Sequence, residues 1–115
     1  MVESILIIDD NEDILDFLSV VLGESYKLHL AINGEIAQRI LDEEVIHLII
    51  SDIMMPGIDG FELCRRIKSN VEYCHIPIIL LTSKNTYQAH IEGLEVGADA
   101  YIQKPFSSEL LQVQI

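Results

Sequence analysis

The stretch that decides the fold is LIISDIMMPGIDGFE, residues 48–62. It opens with an apolar run that reaches Asp52 after a single serine, and a turn-forming Pro-Gly pair and an Asp-Gly pair follow. A short apolar run bounded by turn signals is typical of a strand buried on both faces of a sheet. The aspartate at the end of this strand is explained only by what the rest of the chain places beside it.

Apolar strands and helical patterns alternate along the whole chain. Strands are predicted at residues 4–8, 27–32, 47–51, 77–82 and 99–103. Helices are predicted from a cap at Asn11 to Gly23, from Gly34 to about Glu44, from a cap at Asp59 to about Lys68, from Thr86 to Gly97, and from a cap at Ser107 or Ser108 onward. Strict alternation predicts an α/β fold, a parallel sheet with helices on both faces.

The strands also differ in a way that predicts their order. The first, third and fourth are continuously apolar, which favours the centre of the sheet, whereas the second and fifth alternate, which favours its edges. In the second strand, Leu28, Leu30 and Ile32 are predicted to share one face. Strand order 2-1-3-4-5 places every strand accordingly with right-handed crossovers. This is the order of flavodoxin-like folds.

Size and composition limit the function classes. The 115 residues predict one domain, and the hydrophobic half of the chain is enough for a core. The net charge of −12 argues against direct binding to nucleic acid or anionic membranes. No apolar run approaches the ~18 residues of a membrane span. Cys64 and Cys74 lack metal-ligand spacing and favour a reducing compartment, so a cytoplasmic location is expected.

Polar residues collect where the predicted strands end, namely at Asp9, Asp10, Asp52, Thr82 and, after the fifth strand, Lys104. Ligands of open parallel sheets bind at this carboxyl edge, at the switch point between the first and third strands. Taken singly, each residue has an ordinary explanation as a cap, a turn former or a surface residue. Together, three carboxylates repel one another and need a cation. Hard oxygen ligands favour Mg²⁺, or Mn²⁺ in its place, and a divalent ion beside a lysine and a hydroxyl suits a phosphoryl group.

The same residues carry a family resemblance. The acidic pair Asp9-Asp10, the stretch DIMMPGIDG, Thr82 and the KPF at 104–106 resemble, in order and spacing, the receiver domain of two-component response regulators. The resemblance covers the whole chain, 1–115, as a single receiver domain.

The resemblance implies a role for each residue of the site. Asp52 would be the phospho-acceptor, and Asp10 and Asp52 would bind Mg²⁺ directly with the backbone carbonyl of Met54, while Asp9 would act through water. Two further roles are implied on the phosphoryl side: Thr82 would hydrogen-bond a phosphoryl oxygen, and Lys104 would pair with the carboxylate or phosphoryl group. Tyr101 stands at the aromatic switch position.

The resemblance also implies partners. The donor would be a histidine kinase or phosphotransfer domain, and an output domain or partner would bind the face formed by residues 84–115, with a phosphorylation-dependent dimer as a further expectation. The domain itself would be no enzyme beyond self-phosphotransfer and self-dephosphorylation. The motifs and their flanking residues are most similar to receivers of hybrid sensor histidine kinases. The domain would then belong to the cytoplasmic portion of such a kinase. The last helix looks truncated, so a longer parent chain is expected.

Four alternatives compete with this interpretation, and the residues disfavour the last three. The chain could be the N-terminal receiver of a DNA-binding response regulator. An aspartate-nucleophile, Mg²⁺-dependent phosphohydrolase would carry a second carboxylate where Met54 stands. A flavodoxin-like cofactor binder would need a Ser-, Thr- and Gly-rich loop where DDNED, residues 9–13, stands. A receiver that no longer accepts phosphate is disfavoured because every acceptor position is intact.

Overall fold

The fold is one parallel sheet with helices on both faces, seen in a computed structural model that describes residues 3–53, 59–82 and 97–103, without the side chains of Thr82 and Gln103. The strands are β1 (Ser4–Ile8), β2 (Lys27–Ala31), β3 (Leu48–Asp52), β4 (Ile78–Thr82) and β5 (Ala100–Gln103). The helices in these ranges are α1 (Glu12–Leu22), α2 (Gly34–Glu43) and α3 (Gly60–Lys68). The strand order β2-β1-β3-β4-β5 confirms the predicted flavodoxin-like topology.

Several predictions concern residues outside the described ranges. These are the body of the fourth helix, the last helix, most of the output face at 84–115, and the site residues Met54 and Lys104. No helix within the described ranges is long and apolar enough to cross a membrane.

The central strands bury side chains on both faces, as their continuous apolar runs predicted. On β1, Leu6 and Ile8 join the core beneath α2 and α3, whereas Ile5 and Ile7 join the core beneath α1. All four are at most 1% exposed. Because successive side chains of a strand point to opposite faces, one five-residue run supplies both cores. The sheet is therefore fixed from both sides, and its carboxyl edge is held in a defined place.

Side-chain caps fix where the helices begin. Asn11 Oδ1 accepts the Asp13 N–H at 2.9 Å, and Asp59 Oδ1 accepts the Glu62 N–H at 2.8 Å, so both predicted caps are confirmed. The cap of α2 is Asn33, whose Oδ1 accepts the Ile36 N–H at 2.9 Å. Such caps contribute about 1 kcal/mol each. Two of these helices, α1 and α3, begin at the carboxyl edge, where the Asn11 N–H donates to Asp9 Oδ1 and the Gly60 N–H donates to the Ile53 carbonyl.

The edge strand β2 departs from the simple reading of its alternation. Leu28 packs against the core beneath α1, but Leu30 and Ile32 are 41% and 46% exposed. The fully buried residue at this end of the strand is Ala31, on the opposite face. The reason is the position of β2 at the sheet edge, where one neighbouring strand is missing and the cover from the helix on that face is partial.

Candidate functional site

Strand register brings two aspartates side by side at the carboxyl edge. Ile8 of β1 pairs with Ser51 of β3, so the next residues, Asp9 and Asp52, stand level. The Asp9 N–H donates to the Ala31 carbonyl at 3.0 Å, which continues the ladder one residue beyond β1. Backbone pairing therefore sets where the backbone of both aspartates lies.

Three carboxylates converge at this edge, as predicted. One carboxylate oxygen from each of Asp9, Asp10 and Asp52 lies within 4.8 Å of the other two. Asp9 and Asp52 are only 1% and 6% exposed, while Asp10 is exposed to solvent. Two unit charges 4 Å apart repel by about 1 kcal/mol in water and about 4 kcal/mol at an effective dielectric constant of 20. The cluster therefore favours a bound cation.

The donor set fits a small divalent ion. Mg²⁺ binds oxygen at about 2.0–2.1 Å in an octahedron, so its ligand oxygens lie roughly 3 to 4 Å apart. The observed spacing of the three carboxylates accommodates this arrangement. The exposed side of Asp10 leaves room for the waters that Mg²⁺ usually retains. Mn²⁺ prefers the same hard ligands and fits equally well.

A local turn orients Asp9. The Asn11 N–H donates to Asp9 Oδ1 at 2.9 Å, and the Asn11 side chain in turn caps α1. The carboxylate is thereby tied to the start of the helix. One short segment after β1 thus holds the first carboxylate and begins the helix beside it.

The remaining site residues are placed to different degrees. Asp52 pairs with Leu81 in the sheet, so Thr82, the last residue of β4, stands one position further along the neighbouring strand. Tyr101 of β5 pairs with Leu80 of β4. It is half-buried and packs against the core beneath α2 and α3. The backbone thus brings Thr82 to the same edge as the carboxylates, while Tyr101 stands further back on the outer strand.

The opposite edge of the sheet holds a polar network that sequence reasoning missed. In the sequence, Lys68 marks only the approximate end of α3. Its Nζ donates to the Ile76 carbonyl at 2.8 Å and to Asp99 Oδ2 at 2.9 Å. The same Asp99 oxygen accepts the Ile78 N–H at 2.9 Å. Lys68 and Asp99 are 31 residues apart, and no local pattern signals their contact.

The buried thiol on α3 is unsuited to chemistry. Cys64 is 1% exposed, and burial raises its pKa to about 11, so at neutral pH it is a protonated thiol. Since the thiolate is the nucleophile and metal ligand, Cys64 acts as an apolar core residue.

Comparison with known proteins agrees with this geometry. The model of the response regulator receiver domain family matches residues 5–115, and the chain belongs to this family. It is therefore a regulatory signalling domain of a two-component system.

Three relatives are similar to this chain over nearly its whole length, and in two of them it covers only part of the relative. Histidine kinase P4 of Formosa agariphila is 40% identical over 112 residues, which are 97% of this chain and 8% of that protein. The signal receiver domain of a signal transduction histidine kinase from Syntrophus aciditrophicus is 36% identical, with a TM-score of 0.91 over 97% of this chain and 86% of that one. The Thermotoga maritima response regulator DrrB, an OmpR/PhoB homologue, is 34% identical, with a TM-score of 0.85 over 98% of this chain and 50% of that one.

Proposed function

We propose that the domain accepts a phosphoryl group from a histidine kinase or phosphotransfer domain onto Asp52. Mg²⁺ would be bound directly by Asp10, Asp52 and the Met54 backbone carbonyl, and through water by Asp9. The observation that carries the proposal is the convergence of these three carboxylates within 4.8 Å at the carboxyl edge. A strand-end carboxylate whose backbone is held by the sheet ladder is positioned before the donor arrives, which suits a nucleophile.

The proposed step is an in-line displacement at phosphorus. A carboxylate oxygen of Asp52 forms the new O–P bond while the P–N bond of the donor phosphohistidine breaks, and the imidazole nitrogen keeps the electron pair. The bound divalent ion would supply neutralisation of the charge on the phosphoryl oxygens. Thr82 would donate its hydroxyl to one of these oxygens. Lys104 would pair with the phosphoryl group, so that Thr82 and Lys104 would both stabilise the negative charge on the transferred phosphoryl oxygens.

The proposed output runs along the far strand. The new phosphoryl group adds about two negative charges. Thr82 would turn toward it, and Tyr101, half-buried on β5, would change its packing in response. Its ring is apolar and its hydroxyl polar, so it suits either a buried or an exposed place. The surface of residues 84–115 would then bind an output domain or form a phosphorylation-dependent dimer.

The parent protein is proposed to be a hybrid sensor kinase with a cytoplasmic receiver. The likeness to receivers of two histidine kinases supports this parentage. The likeness to DrrB, of which this chain covers 50%, supports a response regulator as the alternative. The sequence flanking this chain in its gene distinguishes the two.

Intact-mass analysis tests the proposed acceptor. Wild-type protein incubated with Mg²⁺ and acetyl phosphate should gain the mass of one phosphoryl group, and Asp52→Asn should gain none. A matched control is Asp59→Asn, which alters a nearby aspartate whose side chain caps α3. This control should be labelled like wild type. Equal labelling of Asp52→Asn, or no labelling of wild type, would contradict the proposal.

A further inference from the structure

A glycine at the start of α3 touches the backbone of the strand end that bears Asp52. A Cβ on Gly60 would lie 2.2 Å from the Asp52 carbonyl oxygen, 2.7 Å from Ile53 Cα and 3.0 Å from the Asp52 carbonyl carbon. All three are backbone atoms, so no side chain could rotate away to make room. Only glycine allows the helix to approach this closely.

The contact is part of a wider clamp on the end of β3. The Gly60 N–H donates to the Ile53 carbonyl at 2.8 Å, and the Ser51 hydroxyl donates to the Asp52 carbonyl at 2.9 Å. From the neighbouring strand, the Leu81 carbonyl accepts the Ile53 N–H at 3.2 Å. The backbone around Asp52 is therefore held by the helix, by its own strand and by β4.

Helix α3 is anchored at both ends and along its buried face. The side chain of Asp59 caps its first turn, and Lys68 binds the Ile76 carbonyl and Asp99 beyond its last turn. Between these ends the helix buries Phe61, Leu63, Cys64 and Ile67 in the core. Pressure at Gly60 would therefore displace the end of β3, where the sheet stops.

We propose that Gly60 is a positioning residue, whose missing side chain sets the place of the Asp52 carboxylate relative to Asp9 and Asp10. The inference rests on the proposed function in assuming that these carboxylates bind the metal and accept phosphate. Mg²⁺ demands near-ideal octahedral geometry, whereas Ca²⁺ accepts longer and more variable ligand distances. A displaced Asp52 should therefore affect Mg²⁺ far more than Ca²⁺, a selectivity that a general loss of stability would not produce.

The test compares Gly60→Ala with Gly23→Ala. A Cβ on Gly23, at the end of α1, would lie 2.4 Å from the Ser19 carbonyl oxygen, so both substitutions press a methyl group against a backbone oxygen. The other neighbour of Gly23 is Leu28, away from the carboxylate cluster. Melting temperature, Mg²⁺ and Ca²⁺ affinity by NMR titration, and the rate of phosphorylation by acetyl phosphate are measured for both variants and wild type.

Both variants should melt at lower temperature than wild type. Gly60→Ala alone should bind Mg²⁺ about tenfold more weakly, bind Ca²⁺ less than about threefold more weakly, and be phosphorylated roughly 10- to 100-fold more slowly, the scale of a misplaced reacting group. Gly23→Ala should stay within about twofold of wild type in all three.

Three outcomes would overturn the proposal: equal Mg²⁺ affinity and rate in the two variants, equal weakening of Mg²⁺ and Ca²⁺ in Gly60→Ala, or a Gly60→Ala protein that stays unfolded at low temperature in stabilising osmolyte. The last outcome would make Gly60 a determinant of folding. A wild type that binds Mg²⁺ but takes no phosphoryl group would instead contradict the proposed acceptor, and the metal-affinity comparison would still decide the role of Gly60.

Discussion

The two edges of the sheet treat charge in opposite ways. At the carboxyl edge, Asp9, Asp10 and Asp52 bring three like charges within 4.8 Å. At the amino edge, Lys68 meets Asp99 at 2.9 Å, and the same carboxylate accepts the Ile78 N–H. One edge concentrates negative charge, and the other neutralises it within the chain.

The carboxyl edge is therefore suited to binding a cation, and the amino edge to stabilising the fold. A cluster of like charges costs free energy that a bound cation removes, whereas an internal ion pair needs nothing from outside. The amino edge also contains a hydrogen bond in which the Ser4 N–H donates to His47 Nδ1 at 3.1 Å. In metal-free buffer, removing a charge should therefore change the free energy of unfolding in opposite directions at the two edges. Only at the carboxyl edge should the substitution also change the response to metal.

The largest expected effect is the loss of metal-linked stability at the carboxyl edge. Mg²⁺ at 100 times its dissociation constant should stabilise wild type by about 2.7 kcal/mol, because it binds the folded state. Asp10→Asn should remove most of this gain. Thermal unfolding with and without Mg²⁺ measures the difference, and a melting temperature insensitive to millimolar Mg²⁺ in wild type would contradict the site.

The same variant provides its own control in metal-free buffer. There Asp10→Asn removes like-charge repulsion and should leave the protein as stable as wild type or slightly more stable. Asp99→Asn, a neutralisation at the amino edge, should destabilise the protein in both buffers. A metal-free Asp10→Asn protein that melts well below wild type would show that Asp10 stabilises the fold directly.

The next effect concerns Lys68. Lys68→Met keeps the length of the side chain but removes the ammonium that binds the Ile76 carbonyl and Asp99. Hydrogen bonds to charged groups contribute roughly 1.5–3 kcal/mol, so urea denaturation should show a loss of about 2 kcal/mol with no change in Mg²⁺ affinity.

The matched control is Arg65→Met on the same helix. Arg65 forms an ion pair with Glu62, but its side chain is 59% exposed, against 19% for Lys68. Exposed pairs contribute at most about 1 kcal/mol, so this loss should be the smaller one. Equal losses would contradict the proposed importance of the Lys68 network.

The smallest expected effect is a pH dependence of stability caused by the hydrogen bond between Tyr73 and Asp42. The Tyr73 hydroxyl donates to Asp42 Oδ1 at 2.6 Å, and this bond raises the pKa of Tyr73 to about 12. Because the folded-state pKa is raised, the bond stabilises the fold fully below pH ~10, and its contribution is lost as the pH rises from about 10 to 12. Tyrosine Cζ chemical shifts should follow this titration, and Asp42→Asn should return the pKa toward 10. A pKa unchanged by Asp42→Asn would rule out this cause.

Local signals in the sequence predicted much of the fold. The continuous runs of the first, third and fourth strands placed them in the sheet centre, and Asn11 and Asp59 marked the starts of two helices. These features follow from the pattern of residue types within short segments, so they could be predicted from the sequence alone. The convergence of Asp9, Asp10 and Asp52 was predictable for a related reason, since parallel strands bring their carboxyl ends to one edge.

Features that depend on tertiary contact were not predictable. The burial of Ala31 in place of Leu30 depends on how far the helices cover the edge strand. The contact of Gly60 with the Asp52 carbonyl and the reach of Lys68 to Asp99 depend on how α3 packs. In the sequence, Gly60 looked like an ordinary turn residue and Lys68 like an ordinary charge at a helix end.

Of the two cysteines, Cys74 alone is exposed and suited to covalent attachment of the domain to a surface. Cys74 is exposed in the connection between α3 and β4, at the amino edge, while Cys64 is buried with its pKa raised to about 11. Near neutral pH, a maleimide-coated surface should therefore capture the folded protein through Cys74 alone. The immobilised molecules would share one orientation, with the carboxylate edge facing the solution and open to a donor protein flowing past.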